Sequence, residues 1–98
     1  MNRDEILARL RAHEQELRAL GVQEIALFGS VARGDDTPQS DVDMLVSITP
    51  EAELSLLGMV RIERRLRELA GRDVDLVERE MLRASVMQEI AQETVRAF

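Results

Sequence analysis

Three short apolar runs, Ile25–Phe28, Val42–Ile48 and Val74–Val77, alternate with longer stretches of helical spacing. This alternation constrains the fold of the 98-residue chain more than any other feature. The runs are too short for stable helices, and glycine, proline or aspartate stands beside each, so they read as strands. From Asn2 to Leu20 the residues Ile6, Leu7, Leu10, Leu17 and Leu20 predict one amphipathic helix stopped by Gly21. His13 lies on that stripe and reads as a half-buried structural residue. A turn of helix follows Gly29, and Thr37-Pro38-Gln39-Ser40 forms the turn into the second strand. Glu51–Ala70 is a second long helix, with Met59, Ile62, Leu66 and Leu69 inward and Gly71 as its stop. Met81–Ala91 is the last, with Leu82, Val86 and Ile90 four apart, and Val95 and Phe98 pack at the end of the chain. The expected architecture is a layered α+β (α/β layered) domain spanning residues 1–98. Its small mixed sheet is covered by helices mainly on one face.

Composition narrows the chemistry. With no cysteine and one histidine, disulfides and thiolate metal sites are excluded, and a metal would be held by carboxylate oxygen, which suits a hard cation such as magnesium. All 13 basic residues are arginine, so there is no lysine for a Walker-type phosphate loop or a Schiff base. A net charge of −6 opposes a surface built to neutralise many phosphates, and free DNA or RNA is not an expected partner. No apolar stretch reaches the roughly 18 residues of a membrane span, and the N-terminus lacks an apolar secretion core. A cytoplasmic location is expected.

The informative stretch is Gly29-Ser30-Val31-Ala32-Arg33-Gly34, five intervening residues, then Ser40-Asp41-Val42-Asp43. A glycine after a buried strand turns the backbone sharply and lets a ligand approach the main chain, while the next helix offers unpaired N–H groups that suit phosphate oxygens. Ser30 adds a hydroxyl to that first turn. Arg33, one turn on, is placed either to reach a phosphate or to pair with Asp35, Asp36 or a site carboxylate. Asp41 and Asp43 leave one face of a strand about 6–7 Å apart along the chain. Their repulsion, roughly 2–3 kcal/mol at an effective dielectric of about 20, would be reversed by a shared cation. Asp75 repeats the pattern of an acid within an apolar run. If its strand pairs beside that of Asp43, three carboxylates form a site for two divalent ions that clamp an in-line displacement at phosphorus.

These residues, with the five-residue gap and the following Met44-Leu45-Val46, resemble the signature of the minimal nucleotidyltransferase family, in the wider polymerase-beta-like superfamily. The resemblance extends more weakly through Val74-Asp75-Leu76-Val77 and the final helix. It implies the polymerase-beta-like nucleotidyltransferase fold. Gly29 and Ser30 would hold a nucleoside triphosphate, with Arg33 and Ser40 as further candidates for nucleotide binding. Asp41 and Asp43 would bind two magnesium ions, and Asp75, rather than Asp73, would be the third catalytic carboxylate. It further implies ATP as donor and a HEPN-type toxin as partner, the family's known context being a toxin–antitoxin pair in which some members attach AMP groups to a tyrosine of the toxin.

Leu56, Leu57 and Val60 lie off the main stripe of the second long helix and suggest a face for association, with a partner or in a homo- or hetero-oligomer. Two other functions are compatible with the same fold: a binding module that neutralises its partner by covering it, and a transferase acting on a small-molecule hydroxyl. The intact signature opposes the first. The lack of residues for an acceptor domain opposes the second.

Overall fold

In the computed structural model, which describes residues 1–98, the chain runs α1 (Arg3–Ala12), α2 (Glu14–Ala19), β1 (Val22–Phe28), α3 (Gly29–Arg33), β2 (Val42–Ile48), α4 (Leu56–Ala70), β3 (Val74–Glu78), α5 (Ala84–Ala91) and β4 (Val95–Arg96). Short 3-10 turns occupy Pro50–Ala52 and Arg79–Met81. The strands form one mixed sheet in the order β3-β2-β1-β4. β1 is antiparallel to both β2 and β4, while β2 and β3, joined through α4, are parallel.

Alternation along the strands sends two sets of side chains to opposite faces. An irregularity in pairing between Val22 and Glu24 shifts the phase, so that Val22, Ile25 and Leu27 all reach the core. They meet Val42, Met44, Val46 and Val74 there, under Ile6, Leu7 and Leu10 of α1, Leu17 of α2, and Ile62, Leu66 and Leu69 of α4. The opposite face carries Phe28, Ala26, Asp43, Leu45, Ser47 and Asp75 and is partly covered by α5, no residue of which is fully buried, and by Arg79 of the second 3-10 turn. The expected layering, with helices mainly on one face, is what the chain forms.

Several boundaries differ from the sequence expectation. The first helix is two: it breaks at His13, whose backbone leaves the helical region (φ −109°, ψ 20°). The His13 Nδ1–H donates to the Arg9 carbonyl at 2.8 Å, sharing an acceptor with the helical ladder, and such intrusions mark kinks. His13 is half-buried, as expected. α4 begins at Leu56 rather than Glu51, because Pro50–Ala52 forms a separate turn and Glu53 takes a left-handed conformation (φ 43°). The Ser55 hydroxyl then caps the helix, accepting from the Gly58 N–H at 3.2 Å. Ser55→Ala is expected to lower stability by about 1 kcal/mol, measured as a reduced urea midpoint. α5 begins at Ala84 rather than Met81, and in it Met87 and Ile90 are half-buried while Val86 is exposed.

The last strand, β4, was not expected. Its two residues pair with Ala26 and Leu27, the Ile25 N–H donates to the Phe98 carbonyl at 3.1 Å, and Phe98 completes the core with the Arg18 guanidinium 5.0 Å from its ring centroid. Two residues are too few to show a period. At the other extreme of burial, Leu56, Leu57 and Val60 on the first turns of α4 are 82%, 69% and 42% exposed, so the apolar face inferred from sequence stays open. No helix is long and apolar enough to cross a membrane.

Candidate active site at the end of β1

β1 ends at Phe28, and Gly29 turns the chain into the five-residue α3. Gly29 has φ +73°, a region that disfavours residues with a Cβ. A Cβ built there would overlap the Asp43 carboxylate, its Cγ lying only 3.0 Å away. The main chain of the turn therefore packs directly on the second acid of the signature. Gly34, also left-handed at φ +82°, closes α3, with its N–H donating to the Ser30 carbonyl at 2.9 Å.

The strand register brings the acids to this turn. Asp43 lies opposite Phe28 on one side and opposite Asp75 on the other. Asp41 precedes β2 by one residue and projects to the same side. Neighbouring strands stand about 4.8 Å apart, so Asp43 and Asp75 are adjacent carboxylates on the open face. Asp43 is half-buried; Asp41 and Asp75 are exposed. Burial pushes the Asp43 carboxyl above its ordinary range, the charges of Asp75 and Asp41 push it further, and Arg33 opposes them. Asp73 is not among the charges acting on Asp43; it lies before β3, where its carbonyl accepts from the Val42 N–H at 2.9 Å. Of the two acids near β3, Asp75 is the one gathered with the pair. The three carboxylates are neighbours without being drawn into a closed cage: no three acidic or histidine side chains are grouped closely enough to hold an ion. As an all-oxygen, anionic donor set they match what magnesium takes, usually through one or two carboxylates together with substrate phosphates.

Arg33 makes ion pairs: its Nε donates to Asp35 at 3.2 Å and its Nη1 to Glu93 at 3.1 Å. Asp35 is one of the partners weighed from the sequence, and Glu93 is one that the sequence did not suggest.

The nucleotidyltransferase domain family model matches residues 10–97. A protein adenylyltransferase, MntA of Thermococcus cleftensis, is 41% identical over 93 residues, covering 94% of this chain and 92% of its own length. The chain belongs to the nucleotidyltransferase domain family. A solved structure described as a minimal nucleotidyltransferase superposes with a TM-score of 0.72 at 29% identity, over 97% of this chain and 95% of that one. The same fold occurs in a complex of a tri-AMPylated HEPN toxin with an MNT antitoxin from Shewanella oneidensis, with a TM-score of 0.62 at 20% identity, over 94% of this chain and 71% of that one. This nucleotidyltransferase therefore has the α+β fold and enzyme class that its signature implied.

Sequence reasoning missed one residue that shapes the site. Asp36, weighed from sequence as a partner of Arg33, pairs instead with Arg72, Nη1 to Oδ2 at 2.9 Å, and Arg72 Nη2 also donates to the carbonyls of Thr37 (2.7 Å) and Ser40 (2.6 Å). The Arg72 guanidinium holds the Asp36 carboxyl below its ordinary range. Ser40, expected at the nucleotide, uses its hydroxyl within this loop, accepting from the Thr37 N–H at 2.9 Å. One guanidinium thus fixes the segment that leads from α3 into Asp41. Only the assembled sheet shows this: β2 and β3 are parallel with Val42 opposite Val74, which sets Arg72 level with Ser40. Arg72→Ala is expected to speed amide exchange at Thr37 and Ser40 by roughly tenfold while the sheet stays protected. Arg72→Lys should not restore protection, since an ammonium lacks the fork that spans three acceptors.

Proposed function

We propose that this nucleotidyltransferase moves AMP from ATP to a hydroxyl on a HEPN-type toxin, acting as its antitoxin, with divalent metal held by Asp41, Asp43 and Asp75. The observation that carries the reading is the register: Asp43 beside Asp75 on the open sheet face, with the Gly29 backbone against the Asp43 side chain. The adenylyl donor is supported by the MntA relative, whose name describes it as a protein adenylyltransferase and which matches nearly the full chain. The HEPN partner is supported by the structural neighbour found with such a toxin. The open apolar patch of Leu56, Leu57 and Val60 supplies a surface for association.

Bound magnesium would neutralise the phosphates and lower the pKa of the acceptor hydroxyl. The chain's own groups do the rest. The Gly29–Ser30 turn brings its N–H groups and the Ser30 hydroxyl to the β- and γ-phosphates. The acceptor oxygen attacks the α-phosphorus, the bond from that phosphorus to the α,β-bridging oxygen breaks, and pyrophosphate leaves. Asp75, exposed beside Asp43, takes the hydroxyl proton on a carboxylate oxygen. Arg33 stays with Asp35 and Glu93 and lends its charge to Asp43 from a distance.

Incubation with magnesium, a HEPN-type toxin, and ATP labelled at either the α- or the γ-phosphate tests the reading. Label is expected on the toxin from α-labelled ATP only. Transfer of γ-label would make the enzyme a kinase. No transfer, with neutralisation intact in the Asp41→Ala/Asp43→Ala variant, would favour a partner-covering module.

A further inference from the structure

A groove of about 210 Å³ lies between α5 and the open face of the sheet. Its floor is Ala26, Leu45 and Ser47, and its roof is Met87 and Ala91 of α5. Ser47 is the one buried polar residue of the chain, 7% exposed, and it lines the groove. Across its mouth Glu24 is paired with Arg79 at 3.0 Å and with Arg96 at 3.3 Å.

The groove and the acids share a face of the same strands. Leu45 follows Asp43 by two residues, so the groove begins about 6–7 Å along β2 from Asp43, on the side away from the Gly29–Ser30 turn. We infer that this groove receives the base of the donor nucleotide. The inference rests on the nucleotidyl-transfer reading and adds to it the chain's own recognition of the nucleoside. A nucleotide laid along β2 with its terminal phosphates at the turn and its α-phosphate over Asp43 and Asp75 extends its nucleoside towards Leu45. In the slot Ala26 and Leu45 face Met87 and Ala91, an apolar pair on either side of a planar ring, with polar residues around them. Ala26 leaves room, Leu45 and Met87 supply contact, the thioether favouring an aromatic ring, and Ser47 offers one hydrogen bond to a polar base edge. Phe28, the aromatic residue on this face, lies beside Asp43 at the turn and not in the slot. With α5 over the base only, the face above Asp43 and Asp75 stays open to an incoming hydroxyl.

The test separates base from phosphate. Affinities of magnesium–ATP and magnesium–tripolyphosphate are measured by calorimetry on the full chain and on Ala26→Leu, which fills the slot from the floor. Ala91→Leu fills it from the roof should the first variant fold poorly. The inference expects ATP to weaken by roughly tenfold with tripolyphosphate unchanged, and Ser47→Ala to weaken ATP alone by a smaller factor. Unchanged ATP affinity overturns it, as does equal weakening of both ligands with the melting temperature retained. An increase confined to the KM of the acceptor also overturns it, assigning the groove to the acceptor. A wild-type chain that binds neither ligand overturns the nucleotidyl-transfer reading itself, and that result is distinct from a groove that discriminates nothing.

Discussion

Asp43→Asn is expected to cut transfer by on the order of 10³-fold and, at the same time, to raise the melting temperature of the metal-free chain. The two effects have one cause. Burial and the charges of Asp75 and Asp41 hold the Asp43 carboxyl above its ordinary value of 3.8, so the folded chain binds a proton there more readily than the unfolded chain does. Stability at this position is therefore greatest below the unfolded value and declines as pH rises through the raised one. At neutral pH the ionised group opposes folding, and an uncharged isostere relieves it. A divalent ion relieves it too. Magnesium should accordingly raise the melting temperature of the wild type more than that of Asp43→Asn, measured by thermal unfolding at pH 7 with and without the ion. A variant that loses stability along with activity would show Asp43 to be a structural residue instead.

Gly29→Ala should be nearly as damaging, for steric reasons. The added methyl would overlap the Asp43 carboxylate and must sit at φ +73°, so either the turn or the acid moves. We expect a loss of about 2–3 kcal/mol in stability and at least 10²-fold in transfer, since displacement by about 1 Å is enough for the latter. Gly34→Ala is the control. Its φ is also positive at +82°, but nothing lies within 4 Å of the new methyl, so only the backbone cost of about 1–2 kcal/mol should appear. Unfolding midpoints and initial rates on the pair separate strain from collision with the site.

The features legible in sequence were those with a local period or a local steric requirement. β2 was read at its true limits, because seven residues with apolar alternation bounded by a proline turn leave little choice. The Gly29 turn was legible because a glycine between a strand and a helix has few other uses. The choice of Asp75 over Asp73 needed the register, which sequence suggests only through the apolar neighbours Val74 and Leu76, and which the pairing of Asp43 with Asp75 supplies. The rest depended on contacts far apart in the chain. Arg72 reaches back 36 residues to Asp36, Glu93 reaches 60 to Arg33, and β4 exists because Ile25 has backbone groups to share with Ala97 and Phe98. The groove under α5 was hidden for the same reason. Ala26, Ser47 and Met87 have nothing in common until β1, β2 and α5 are assembled.

The central claim is that Asp41, Asp43 and Asp75 hold metal against a triphosphate lodged at the Gly29–Ser30 turn. A crystal structure with manganese and an ATP analogue blocked between its α- and β-phosphates tests it most directly, because anomalous scattering locates the ions without reference to the carboxylates. The account predicts manganese within about 2.2 Å of oxygens from Asp43 and at least one of Asp41 and Asp75, with the terminal phosphates on the turn. Ions bound elsewhere, or phosphates remote from Gly29 and Ser30, would contradict it.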